Sequence, residues 1–169
     1  MTALRVLLVP VIVALLLVDT TASALWALVL FIVASLTDTA DGWLARRRGE
    51  VTRWGKLADP AADKILVLGV LATLVWTGAI AWWVFAVVAL RELAVTLQRQ
   101  VLARRDVVMA ASIWGKLKTV SQLVAISMII APFVADPIAT ALLYAAVALT
   151  IGSGIDYAVR GSRRARAAA

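Results

Sequence analysis

The chain contains no cysteine and no histidine. Without cysteine there are no disulfides and no thiolate metal sites. Without histidine there is no Ser-His-Asp relay, no imidazole-bound zinc and no side chain with an ordinary pKa near neutrality. Acid–base or metal chemistry therefore falls to carboxylates. Carboxylates without nitrogen or sulfur partners suit hard ions such as Mg2+, Mn2+ or Ca2+. Charge is scarce as well. Of 169 residues, 16% are charged and 63% are apolar, and mean hydropathy is +0.96. That is too apolar for a soluble domain of this length. The charge is also unbalanced, with 17 Lys/Arg against 10 Asp/Glu. In a membrane protein this excess suits anionic lipid and anionic substrates, and no nucleic-acid partner is expected.

A spanning helix takes roughly 20 mostly apolar residues. Six segments fit, near 3–18, 23–44, 56–77, 80–102, 112–133 and 137–158. The first starts almost at Met1. No small-residue cleavage site follows an ordinary n-region, so it reads as a span and not as a signal peptide. The loops sort by charge. Arg46, Arg47, Arg48, Arg53, Lys56 and Lys64 form one basic segment. Arg91, Arg99, Arg104, Arg105, Lys116 and Lys118 form a second, and Arg160, Arg163, Arg164 and Arg166 close the chain. The turns near 19–22, 78–80 and 134–137 carry no Lys or Arg, only Asp19 and Asp136. With six spans every basic segment falls on one side, which the positive-inside rule makes cytoplasmic.

The expected fold is thus an all-α integral membrane protein with six transmembrane helices and both termini cytoplasmic. No internal repeat is evident. A single transmembrane domain over 1–161 is expected, followed by a basic cytoplasmic tail, 162–169, that frays. Trp82-Trp83 reads as an outer interfacial belt, and Trp26, Trp43, Trp54 and Trp114 lie near predicted interfaces. None is expected to be catalytic. Pro10, Pro132 and Pro137 are ordinary for membrane helices or their ends. Pro60 implies that span three is in its first turns there, or kinked.

Against this background four acids stand close together: Asp38, Asp41, Asp59 and Asp63. Carboxylates beside lipid are costly and persist when paired with cations. Helical positions three or four apart share a face. Asp38 and Asp41 therefore pair on span two, and Gly55, Asp59 and Asp63 form a stripe on span three. The connection 47–54 is short, which favours adjacent antiparallel helices and brings the two pairs together. Four facing carboxylates repel, and two divalent cations neutralise them. Two such ions about 3.5–4 Å apart can clamp the oxygens of a phosphoryl displacement. Gly42 permits close backbone approach, and Arg46 can bind phosphate or pair with an acid. Two plainer readings stand beside this one: snorkelling ion pairs at the membrane edge, and an ion or proton transporter. Nothing in the sequence shows the paired, broken helices typical of transporters.

The spacing Asp38-x2-Asp41-Gly42-x2-Ala45-Arg46-x8-Gly55-x3-Asp59-x3-Asp63 resembles the signature of the CDP-alcohol phosphotransferase family, with every fixed position present. The resemblance implies a six-helix membrane fold, a homodimer, and acids that hold two divalent cations, Mg2+ or Mn2+, near the cytoplasmic surface. It implies that Asp38, Asp41, Asp59 and Asp63 are metal ligands and that Asp63 is also the general base. It implies CDP-lipid contacts at Gly42, Arg46, Thr52 and Gly55, with Thr2 and Arg5 as a further nucleotide-side element. The family pattern has several residues ahead of that element, so a late start of this chain is expected. The implied setting is a bacterial plasma membrane, with the active site facing the cytoplasm.

Outside the signature, the stretch Val51–Lys64 resembles the phosphatidylglycerophosphate synthase branch of the family. So do Arg91-Glu92, Gly115-Lys116-Leu117-Lys118-Thr119 with Gln122, and Ser153-Gly154-x2-Tyr157. This branch implies transfer of a phosphatidyl group from CDP-diacylglycerol to glycerol 3-phosphate, with CMP released. Arg91, Lys116 and Lys118 lie at the expected cytoplasmic ends of spans four and five and can form a pocket for the acceptor phosphate. The plainer reading is positive-inside anchoring, and Arg91 can simply pair with Glu92. The rival acceptors are phosphatidylglycerol, as in a CDP-diacylglycerol-dependent cardiolipin synthase, and inositol phosphate, as in a phosphatidylinositol phosphate synthase.

Overall fold

The computed structural model describes the backbone of residues 2–48, 53–103 and 113–167, and the side chains of residues 6–37, 64–103 and 113–164. Among the described residues every element is an α-helix. These are α1 (Thr2–Val18), α2 (Thr21–Arg48), α3 (Arg53–Trp76), α4 (Trp82–Ala103), α5 (Ile113–Ile130) and α6 (Asp136–Ala167). The six predicted segments correspond to these helices one for one.

The helix ends follow from local chemistry. Asp19 closes α1 in the left-handed region, at φ 53°. The next residue caps α2. Thr20 Oγ1 accepts from the Ser23 N–H, and the Thr20 N–H donates in turn to Ser23 Oγ, each at 3.1 Å. This reciprocal pair satisfies two backbone or side-chain groups at an apolar helix start. At the far end of α3, Gly78 takes φ 77°. Its N–H donates to the Val75 carbonyl at 3.0 Å, and the Ile80 N–H reaches back to Leu74 at 3.2 Å. A residue with a side chain would be strained at Gly78. Asp136 and Pro137 open α6, where an acid favours the helix dipole and proline loses no needed hydrogen bond.

Two helices extend beyond expectation. α2 continues to Arg48 through Arg46 and Arg47, since cations in a last turn suit the carbonyl end of the dipole. α6 continues to Ala167 through the segment expected to fray. Arginine and alanine are strong helix formers, and no proline stops them. α3 starts at Arg53 and runs through Pro60.

Helices α5 and α6 are long and apolar enough to cross a membrane. α1, α2 and α3 carry shorter apolar stretches over Val6–Val18, Thr21–Thr37 and Lys64–Trp76. The apolar core joins all six helices or their connections, with Ile12, Phe31, Leu66, Val70 and Val84 fully enclosed. α1 packs against α2 and α3, α4 against α3 and α6, and α5 against α2 and α6. Large apolar side chains also face outward on every helix, among them Leu7, Trp26, Ile65, Leu90, Val120 and Ile155. Polar groups, by contrast, are turned inward: Ser35, Thr73, Lys118, Gln122, Thr150 and Ser153 are buried. An apolar exterior around a polar seam is the distribution of a membrane protein.

The direction of α4 relative to α6 is fixed by a series of contacts. Trp83 stacks on Tyr144 with centroids 5.6 Å apart, Arg91 reaches Ser153, and Gln98 reaches the Ala158 carbonyl. Positions rise together along both chains, so the two helices run parallel. Gly154 gives Arg91 its room, since a Cβ there would stand 3.2 Å from Arg91 Cγ. Across the seam Gln122 Nε2 donates to Thr150 Oγ1 at 2.8 Å, which ties α5 to α6. Thr150→Val is expected to lower stability by about 1 kcal/mol, a typical size for an interhelical hydrogen bond in a membrane protein. Adding Gln122→Leu should return part of that loss, because no amide is then left unpaired. Reversible unfolding in detergent micelles reads both values.

Candidate functional site

The helix α2 carries Asp38, Asp41, Gly42 and Arg46, and α3 carries Gly55, Asp59 and Asp63. The backbone is helical at all seven positions, and α2 contacts α3. Only residues 49–52 separate the two helices, as the short-connection argument requires. The side chains of these seven residues lie outside the described residues. So do the side chains of Thr2 and Arg5 on α1, and the whole of Thr52.

The described part of the site begins at Lys64, the residue after Asp63. Consecutive Cα atoms stand about 3.8 Å apart, so the backbone of the last motif acid is next to that of Lys64. Lys64, Val67 and Leu68 of α3, Glu92 of α4, and Lys118, Thr119 and Gln122 of α5 line one pocket. Lys64 Nζ donates to Thr96 Oγ1. Thr96 Oγ1 donates onward to the Glu92 carbonyl at 2.6 Å.

Glu92 is the hub. Its Oε1 accepts from Lys118 Nζ at 2.5 Å and from Arg91 Nη1 at 2.9 Å. Arg91 Nη2 donates to Ser153 Oγ at 3.1 Å, and Ser153 Oγ donates to the Thr150 carbonyl at 3.0 Å. Arg91 Nε is buried without a partner among the described residues. One carboxylate thus links α4 to α5 directly and, through Arg91, to α6. Deeper toward the chain's basic end, Arg99 Nε donates to Tyr157 OH at 3.1 Å, with its guanidinium 5.3 Å from the ring centroid.

The three expected acceptor-phosphate residues occupy three different settings. Lys118 is buried and lines the pocket. Arg91 stands behind Glu92, paired with it and with Ser153, and does not line the pocket. Lys116 is exposed and does not line it either. Two charged pocket residues were absent from the sequence-derived site: Lys64 and Glu92. Lys64 had a sequence signal in its place directly after the last motif acid. Glu92 had a weaker one, as the lone acid within the apolar run of α4.

Chemically, the pocket offers two ammonium groups and a carboxylate beside an apolar wall. One of its walls, α3, also carries Asp59 and Asp63. A family model described as CDP-alcohol phosphatidyltransferase matches residues 1–152. The chain belongs to the CDP-alcohol phosphatidyltransferase family.

Among its relatives is a protein of Mycobacterium tuberculosis named probable phosphatidylglycerophosphate synthase, 41% identical over 141 residues. That alignment covers 82% of this chain and 66% of the relative, so the chain spans about two-thirds of that protein's length. A Bacillus subtilis protein named CDP-diacylglycerol--glycerol-3-phosphate 3-phosphatidyltransferase is 43% identical over 134 residues, covering 76% of this chain and 69% of the relative. An Escherichia coli protein of the same name is 36% identical over 165 residues, covering 93% and 90%.

The contrast between the two lysines is testable. Lys116→Met should change stability by no more than about 0.5 kcal/mol, as surface substitutions usually do. Lys118→Met should cost about 1–3 kcal/mol, because it strips one of two partners from a largely buried carboxylate. Thermal unfolding in micelles of fixed composition compares them.

Proposed function

We propose that the chain transfers the phosphatidyl group of CDP-diacylglycerol to a hydroxyl of glycerol 3-phosphate, giving phosphatidylglycerophosphate and CMP. What supports this reading is a pocket lined by Lys64 and Lys118, the first of them next in sequence to the last acid of the complete family motif. The names of the relatives support the same acceptor.

The donor set fits two divalent cations. It is four carboxylates at i, i+3 on one helix and i, i+4 on the next, in a chain without nitrogen or sulfur ligands. Asp38, Asp41, Asp59 and Asp63 would hold Mg2+ or Mn2+, which when bound supplies charge neutralisation at the diphosphate. The chain's own residues do the rest. Gly42 and Gly55 would let the CDP moiety approach the backbone closely, Thr52 would offer it a hydroxyl, and Arg46 would pair with a phosphate, with Thr2 and Arg5 on the nucleotide side. Lys64 and Lys118 would hold the acceptor phosphate, with Arg91 and the exposed Lys116 acting at longer range. Val67 and Leu68 would exclude water beside the reacting hydroxyl. Asp63 would take the hydroxyl proton as the oxygen attacks the phosphorus that carries the lipid. The bond to the CMP phosphate oxygen breaks as the new P–O bond forms. Most of the acceleration in such a site comes from positioning and charge neutralisation.

The same reading places all six helices across a bacterial plasma membrane, with both termini and the motif on the cytoplasmic side. The basic segments at 46–64, 91–118 and 160–166 support this orientation. A homodimer belongs to the reading through the family resemblance alone. The native chain has no cysteine, so single cysteines report topology cleanly. Ala79→Cys and Ala135→Cys should react with a membrane-impermeant maleimide in intact cells. Ala169→Cys should react only after the membrane is opened.

The activity is tested with purified chain, CDP-diacylglycerol and a panel of acceptors: glycerol 3-phosphate, phosphatidylglycerol, inositol phosphate and serine. CMP release that needs Mg2+ or Mn2+ and glycerol 3-phosphate is expected, and Asp63→Asn should lower it by at least about 1,000-fold with the fold retained. Release with phosphatidylglycerol or inositol phosphate instead would assign a cardiolipin or phosphatidylinositol phosphate synthase. Failure to release CMP with any acceptor, together with cation flux in vesicles, would assign a transporter.

A further inference from the structure

Glu92 uses one of its two oxygens twice. Oε1 takes both Lys118 and Arg91, and among the described residues Oε2 has no hydrogen-bond partner. Nor is Oε2 among the buried polar atoms left unpaired, where Arg91 Nε stands alone. It is therefore neither bonded nor sealed off, on a residue that lines the pocket. A carboxylate serving only as counter-ion to two cations gains most by spreading them over both oxygens, and a guanidinium favours the two-oxygen fork. Here both cations converge on one oxygen and the other is left open. An ionised carboxylate oxygen only accepts hydrogen bonds. What it can receive is an O–H or N–H donor, from water or from a ligand that displaces it.

The remaining lining narrows the ligand. Lys64 and Lys118 attract an anion, and Lys118 binds the same carboxylate that offers the open oxygen. A ligand that satisfies both must carry an anionic group and a hydroxyl a few bonds apart. We propose that Glu92 selects the acceptor. Its Oε2 receives a hydrogen bond from a hydroxyl next to the reacting one, so the pocket reads a phosphomonoester of a vicinal diol and rejects a phosphomonoester without the second hydroxyl. Rejection follows because the deoxy acceptor leaves an ionised oxygen desolvated and unpaired. Oε1 meanwhile keeps Lys118 and Arg91 in place, which ties recognition of the hydroxyl to that of the phosphate. The inference rests on the acceptor pocket proposed above and adds a selecting residue that neither the motif nor the basic residues identify.

The test compares glycerol 3-phosphate with 3-hydroxypropyl phosphate, which has the same phosphate and primary hydroxyl but lacks the middle hydroxyl. Purified full-length chain in mixed micelles with CDP-diacylglycerol and Mg2+ is assayed for CMP release. The wild type should favour glycerol 3-phosphate in kcat/KM by about 10–100-fold, the range of a hydrogen bond to a charged group. Glu92→Gln should cut that ratio at least about fivefold and leave KM for CDP-diacylglycerol within about twofold. Glu92→Asp should retain more of the ratio than Glu92→Gln. Equal use of the two acceptors by the wild type overturns the proposal, whether or not the variants fold. So does a Glu92→Gln chain that keeps the full ratio, or one in which both substrates weaken alike. No turnover of glycerol 3-phosphate by the wild type, with turnover of another acceptor, overturns instead the functional reading on which the inference rests.

Discussion

A charged group inside an apolar bundle needs its partners on the bundle, and Glu92 is where the helices supply them. Its Oε1 holds Lys118 of α5 and Arg91 of its own helix, and Arg91 passes the connection to Ser153 of α6. Thr96, one turn on, brings Lys64 of α3 to the same helix. Four helices are thus joined through one short stretch of α4. None of these groups would be stable there singly, since an unpaired charge in a low-dielectric interior costs several kcal/mol. Together they form a polar seam that fixes which face of each helix turns inward. The apolar side chains that remain, from Leu7 to Ile155, are left to the surrounding phase.

The same seam explains why α4 and α6 run parallel and close. Gly154 leaves room for the Arg91 stem, and Gly161, seven residues on, lies against Gln98, seven residues after Arg91. Two turns separate each pair on both helices, so long polar side chains of α4 seat over small residues of α6 at matching heights. Small residues serve this purpose in membrane bundles, where close backbone approach replaces the hydrophobic drive available in water. The cost of carrying arginine and glutamine into the interior is met by hydrogen bonds that this close packing makes geometrically available.

Much of this was legible in the sequence, for uneven reasons. The six helices were legible because apolar runs, basic loops and acidic turns report length and boundary directly, as at Asp19, Gly78 and Asp136. The far ends of α2 and α6 were not, because hydropathy stops at Leu44 and Val159 while helix propensity continues through the arginines. The helical setting of the acidic motif was legible from spacing, since i, i+3 and i, i+4 carry geometric meaning within one helix. The pocket was not. Glu92, Lys118 and Lys64 meet across three helices, and nothing in linear spacing says which faces of separate helices meet. Arg91, Lys116 and Lys118 look alike as basic residues in an apolar chain, yet one is a positioning group, one is exposed and one lines the pocket.

What the sequence and structure share is a separation of charge. Two of the motif's acids, Asp59 and Asp63, and one lysine of the pocket, Lys64, lie on α3, with the change of sign between Asp63 and Lys64. In the proposed reaction this boundary has a direct consequence. Two anionic substrates must come together although their phosphates repel, and one of them must also lose a proton. Acids alone would need all of that repulsion cancelled by bound cations, and lysines alone would offer no base. With the sign reversed within a single residue, the diphosphate is neutralised on one side and the acceptor phosphate on the other. The hydroxyl to be deprotonated then lies at the junction. Glu92 extends the logic, because it lowers the net positive charge of the pocket without emptying it. A pocket of two unopposed lysines would grip any phosphate. One balanced by a carboxylate with an open oxygen gains from a ligand that brings both an anion and a hydroxyl, and selectivity among phosphorylated alcohols follows from that balance.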